Sequence, residues 1–205
     1  YWVTTPPVGL AFERLQEIWS IVKGVVWVVK NNWQNPDKGI WEFRSEDLHF
    51  TFSKVLCWVA IDRAIKIAEL LDKNEAAKKW EPLKNQIKDD IENKAWNEEI
   101  QAYTQSYGSK HLDASVLLIE QYGFINPNES RFISTVNAIE KELAYEGLLY
   151  RYKNHDDFGL PSSSFTVCTF WFINSLIKIG EVDKAKTYFD NLLSFGNHLQ
   201  LFSED

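Results

Sequence analysis

Apolar residues recur with a helical period along almost the whole chain, and strict apolar/polar alternation spans no strand's length, so the pattern predicts an all-α fold. The predicted helices are of two kinds. In residues 76–93, Ala77, Trp80, Leu83, Ile87 and Ile91 form one stripe with Lys, Asp and Glu opposite, the pattern of a helix with one face in water. Residues 131–143, with Phe132, Ile133, Val136, Ile139 and Leu143, repeat it, as do residues 182–193, with Val182, Ala185, Tyr188, Phe189, Leu192 and Leu193. The second kind is apolar nearly all round: Val55 to Ile61 within residues 52–71, Val116 to Ile119 within 113–121, and Phe170 to Ile173, continuing to Leu176 and Ile177, within 165–179. Such helices predict burial on every side. A further helix is predicted over residues 9–30, opened by Thr5-Pro6-Pro7, where proline suits a first turn.

Buried and half-exposed helices thus alternate in chain order. Antiparallel helices that alternate between an inner and an outer ring produce this order, so the expected architecture is an α/α toroid, incomplete in this chain. The links are unequal. Inner-to-outer links are short, as at Asp72-Lys73-Asn74 and Gly180, whereas outer-to-inner links are long: Asn31 to Phe50, Trp96 to Leu112, Gly147 to Ser164, and one that opens at Gly196. In such a ring the long links emerge on one face, and chemistry is expected there.

The 205 residues carry thirteen Phe, nine Trp and eight Tyr, enough aromatic mass for a large core and far from the composition of a disordered segment. The longest apolar run, Gly24 to Val29 between Lys23 and Lys30, is far short of the ~20 residues that span a bilayer. A net charge of -7 with no basic cluster argues against nucleic acid as a partner. Cys57 and Cys168 lie in apolar runs and read as small buried hydrophobes, without disulfide or zinc spacing. His49, His111, His155 and His198 are far apart in sequence, and no metal is expected. Two separated cysteines and no visible secretion signal fit a reducing compartment, so a cytoplasmic location is expected. The chain begins at Tyr1 and contains no Met, so it is expected to be part of a longer catalytic domain, residues 1–205 forming one portion of it.

The long links hold the candidate chemistry. Glu42 directly follows Trp41, where apolar walls favour a protonated carboxyl, as a general acid requires; the alternative is that Trp41 caps the core and Glu42 is solvated. Residues 103–109, Tyr-Thr-Gln-Ser-Tyr-Gly-Ser, offer amide, hydroxyl and ring groups suited to a polyhydroxylated ligand. Asp113 reads as the N-cap of the helix that follows. Arg151, between Tyr150 and Tyr152, is either a fork of donors held flat for neighbouring hydroxyls or a surface arginine. Glu204 is a further carboxylate after a long link.

Taken together, Asp37-x-Gly39-Ile40-Trp41-Glu42-x-Arg44 and His49-Phe50-Thr51-x-Ser53-Lys54-Val55-x-x-Trp58-Val59-Ala60-x-Asp62-Arg63-Ala64 resemble the glucoamylase-like family of inverting glycoside hydrolases, the group numbered 15. The likeness continues through Gln105-Ser106-Tyr107-Gly108, Leu112-Asp113-Ala114-Ser115, Arg151-Tyr152, Gly159-Leu160-Pro161, Cys168-x-Phe170-Trp171 and Leu201-x-Ser203-Glu204. It implies an (α/α)6 barrel, with Glu42 as general acid and Glu204 as general base. It also implies Arg151 as the arginine that holds sugar hydroxyls, with Trp41 and Tyr107 as pocket walls and Arg44 and Asp113 as further substrate-binding positions. No cofactor or metal is implied. The expected substrate is an oligosaccharide or disaccharide. The first expectation is release of glucose from the non-reducing ends of α-glucans or maltooligosaccharides; the alternatives are a trehalase of the same family and a non-catalytic carbohydrate-binding relative. Two departures stand out: Ser162-Ser163-Ser164 replaces a glycine-rich stretch usual in bacterial members, and Phe43 replaces the second acid of fungal ones.

Overall fold

Every helix announced by the periodicity is present in the computed structural model, which describes residues 8–204, with side chains described from Arg14 onward. The helices are α1 (Val8–Asn32), α2 (Thr51–Leu70), α3 (Asn74–Lys94), α4 (Leu118–Gln121), α5 (Ser130–Leu143), α6 (Thr166–Lys178) and α7 (Val182–Leu193), with a 3-10 helix over Ala114–Leu117 running into α4. The Thr5-Pro6-Pro7 opening lies outside the described residues. Two antiparallel two-residue hairpins accompany the helices without changing the all-α class: β1 (Trp96–Asn97) pairs with β2 (Ala102–Tyr103), and β3 (Ala144–Tyr145) with β4 (Leu148–Leu149). A ladder two residues long cannot show alternation. Among the described residues no helix is long and apolar enough to cross a membrane.

The chain divides into two compact units, one comprising residues up to Asn35 with Cys57–Ile87, the other Pro36–Leu56 with the residues from Lys88 on. The first unit buries Val22, Val26 and Trp33 of α1, Ile61, Ala64, Ile65 and Ala68 of α2, and Ala77 and Ile87 of α3. The indoles of Trp19 and Trp80 lie 5.6 Å apart. Buried Asp62 pairs with Lys66 at 2.9 Å and with the neighbouring Arg63. The link after α2 is short because the chain reverses in a left-handed residue, Asp72 (φ 55°), while the Lys73 amide returns to the Ala68 carbonyl at 2.7 Å and satisfies the helix end.

In the second unit Gly180 (φ 89°) makes the same reversal after α6, and the Glu181 amide returns to the Leu176 carbonyl at 2.9 Å. Its core joins Ile91, Val116, Ile119, Phe132, Val136, Ile139, Leu143, Leu149, Phe172, Leu176 and Leu192. Each hairpin delivers one main-chain amide into that core, and a buried helix threonine accepts it: Tyr103 N–H donates to Thr135 Oγ1 at 3.0 Å, and Leu149 N–H to Thr169 Oγ1 at 2.9 Å. A buried amide left without an acceptor would cost about 1–3 kcal/mol.

The helices read as buried all round differ from that expectation. Residues 114–119 are buried throughout, but α2 exposes Leu56 and Leu70, and α6 exposes Val167 and Ile177. Among the described residues those sides are only partly covered. Cys168 is buried as expected, whereas Cys57 is half-buried.

Candidate active site

The segment from Asp37 to Leu48 is a closed loop whose ends exchange hydrogen bonds, Asp37 N–H to the Leu48 carbonyl at 2.9 Å and the reverse at 3.0 Å. Asp37 Oδ1 accepts from the Gly39 amide and the Ser53 hydroxyl, both at 2.7 Å, which ties the loop to the first turn of α2. Gly39 has a left-handed backbone (φ 67°), and a Cβ there would lie 2.9 Å from the Phe50 ring, so both conformation and space require glycine. Beyond it, Trp41 and Phe43 turn inward. Phe43 stacks on Phe50 (5.2 Å, 10°) and tilts against Tyr152 at 5.2 Å. Trp41 packs against Tyr152, Phe165 edge-on at 5.7 Å, and Trp171. Between them Glu42 takes a left-handed backbone (φ 54°) with an exposed side chain. Its carboxylate therefore stands beside Trp41 without the apolar enclosure expected from the sequence, because both aromatic neighbours are drawn into the core.

The second link contributes Gln105 and Asp113. Asp113 is 2% exposed, and both carboxylate oxygens are engaged: Oδ2 accepts from Trp41 Nε1 at 2.8 Å and Gln105 Nε2 at 3.0 Å, and Oδ1 from the Ser115 amide at 2.8 Å. The Ser115 bond is the N-cap read from sequence. Burial pushes the Asp113 carboxyl above the ordinary aspartate range, against the pull of its donors. Asp113, expected from sequence as a substrate-binding position, is thus buried with its carboxylate engaged by protein donors. Tyr107 stacks on His49 at 5.7 Å, and the Lys94 ammonium lies 5.9 Å from its ring centroid. Burial, then the charges of Lys54 and Lys94, hold His49 below the usual imidazole range.

In the third link Asp156 organises its surroundings. Its Oδ2 accepts the Tyr152 hydroxyl at 2.7 Å and lies 3.4 Å from Arg151 Nη2, while Oδ1 accepts the Phe158 amide at 2.7 Å. Burial alone would raise its carboxyl, but these donors, the Arg151 charge and the Gly159 amide bring it below the ordinary range. The Arg151 guanidinium lies 5.1 Å from the Tyr152 ring centroid, and its buried Nε finds no hydrogen-bond partner among the described residues. Arg44 donates its amide to Asp157 at 2.5 Å and sets its guanidinium over Phe158 at 5.0 Å.

The fourth link returns to α6. Asn197 closes a turn with Leu201, and the Glu204 carbonyl accepts the Thr166 amide at 2.8 Å. As a result Arg151, Asp156, Phe158, residues 160–165 and Glu204 enclose a cavity of about 360 Å³. Of the residues singled out from sequence, Arg151 and Glu204 line this cavity, Arg44 covers Phe158 at its edge, and Glu42 is not among the lining residues. Trp41 supports its wall by packing on Phe165 without lining it; Tyr107 does not line it either, being engaged with His49. Sequence reasoning did not give Asp156 a role, although it is signalled by a carboxylate five residues after Arg151 in an Asp-Asp-Phe-Gly turn. It offered the Gln105 amide for a ligand, whereas in the structure that amide is spent on Asp113.

The fold is part of an (α/α)6 toroid, the class shown by a structural likeness. The solved structure of a bacterial glucoamylase complexed with acarbose matches it with a TM-score of 0.74, over 94% of this chain and 34% of that one, at 16% identity. The chain belongs to glycosyl hydrolases family 15, whose sequence profile matches residues 11–200. It is similar to a trehalase of Mycobacterium tuberculosis (strain ATCC 25618 / H37Rv), 41% identical over 193 residues, and to a trehalase of Mycolicibacterium smegmatis (strain ATCC 700084 / mc(2)155), 39% identical over 191. These alignments cover 93% and 92% of this chain but only 28% of each relative, so the chain spans less than a third of their length.

Proposed function

We propose that the protein is an inverting glycosidase that hydrolyses trehalose to two molecules of glucose. The observation that carries this reading is the 41% identity, over nearly the whole chain, to a protein called a trehalase. It favours the disaccharide over the glucan ends expected first from sequence.

In this reading Glu42 donates a proton to the bridging oxygen as the C1–O bond breaks. Glu204 takes a proton from the water that attacks C1 from the opposite face, and the hydroxyl so formed completes the second glucose. An inverting pair needs about 6.5–9.5 Å between carboxyl groups to admit that water. Arg151, held by Asp156 and Tyr152, offers donors to sugar hydroxyls at the cavity wall, and the carboxylates stabilise positive charge on the ring in the transition state. Hydrolysis needs no cofactor in this scheme.

The test is incubation of the full-length protein with trehalose and, separately, maltotriose. Glucose from trehalose supports the proposal; glucose from maltotriose alone would replace it with the exo-glucan reading, and none from either would remove both.

A further inference from the structure

We propose that Asp113 is a positioning residue that holds the Trp41–Glu42 pair in register with Arg151; the inference rests on the acid role proposed above for Glu42. Every partner of its carboxylate is a donor: the indole of Trp41, the carboxamide of Gln105 and the amide of Ser115. That set complements an ionised carboxylate, which only accepts, and leaves no oxygen for a sugar hydroxyl.

The bond to Trp41 adds what packing cannot. Tyr152, Phe165 and Trp171 surround the indole, but ring contacts leave its N–H without an acceptor. A hydrogen bond at 2.8 Å to a buried carboxylate oxygen that is itself held by Gln105 fixes the direction of Nε1. Glu42 follows immediately in a left-handed conformation, which a residue with a Cβ keeps only where its surroundings over-determine it. Trp41 on one side and Phe43 on the other are those surroundings. From the other end, the Ala114 amide donates to the Arg151 carbonyl at 2.8 Å. Asp113 and Ala114 thus join the acid-bearing loop, through a side chain, to the arginine of the cavity, through the backbone.

The experiment is a double-mutant cycle in the full-length protein with Asp113→Asn and Trp41→Phe, the second keeping an aromatic ring but losing the N–H donor. Each is expected to lower kcat on trehalose by about tenfold while KM stays within about twofold, and the double variant to be no slower than the single ones. Losses that multiply in the double variant would overturn the inference, as would a rise in KM with kcat unchanged, the sign of a direct substrate contact. If Asp113→Asn does not fold, Trp41→Phe decides alone, and wild-type kcat in that variant overturns it. A wild-type protein inactive on both trehalose and maltotriose would instead overturn the function proposed above, and this inference with it.

Discussion

The main-chain carbonyl of Glu204 accepts the amide of Thr166, the first residue of α6, at 2.8 Å. The N-cap residue of that helix, Phe165, has no capping side chain, so the returning segment satisfies one of its orphan amides. The contact uses backbone only, and the carboxylate can be altered without removing it. Glu204→Gln is therefore expected to change stability by less than about 0.5 kcal/mol while lowering kcat by about 10²-fold or more. Thermal melting and glucose release from trehalose check this. Parallel loss of both would make the segment's contribution purely structural.

The two carboxylates should separate on a substrate whose leaving group needs no proton. Glu42→Gln is expected to lose about 10²- to 10⁴-fold on trehalose yet still hydrolyse α-glucosyl fluoride, because fluoride departs unprotonated. Glu204→Gln should fail on both substrates, since the attacking water still has to lose its proton. Initial rates on the two substrates are the measurement, and identical behaviour of the two variants would reject the assigned roles.

Stereochemistry gives a third outcome. Inversion at one C1 of trehalose turns that ring into β-glucose and releases the other as α-glucose, so proton NMR in the first minutes should show equal amounts before mutarotation. A double displacement would give the α-anomer alone.

Gly39 anchors the loop that carries Trp41 and Glu42, with positive φ and no room for a Cβ against Phe50. Gly39→Ala should destabilise the protein by about 1–3 kcal/mol, measured by denaturant unfolding, from backbone strain and displacement of a ring in the Phe43–Phe50–Tyr152 cluster.

Much of this was legible in the sequence because apolar periodicity is a local signal: the stripes of α3, α5 and α7 and the reversal at Gly180 follow from residues a few positions apart. What escaped depends on distant partners. The β1–β2 and β3–β4 hairpins are each completed by a threonine on a later helix, Thr135 and Thr169, which no local pattern announces. At the site, motif spacing selected Glu42, Arg151 and Glu204. It could not tell that Trp41 is turned inward by a carboxylate 72 positions away, or that Asp113 is enclosed. The apolar girth of α2 and α6 indicated burial on all sides, yet burial depends on which neighbours are present, and Leu70 and Ile177 lie open.

Asp113 and Asp156 should give pH dependences of opposite sign. The Asp113 carboxyl titrates above its unfolded value of 3.8, so between that value and its folded one the native state binds more protons, and wild-type stability falls as pH rises through the interval. The Asp156 carboxyl titrates below 3.8, so its contribution is complete above that pH and is lost as pH falls through the folded value. Replacing either by Asn removes its own dependence. In unfolding measurements from about pH 3 to about pH 7, Asp113→Asn is expected to gain on the wild type as pH rises, and Asp156→Asn to lose ground. Slopes of the same sign in both variants would contradict the opposing environments of the two carboxylates, one dominated by burial and the other by its donors.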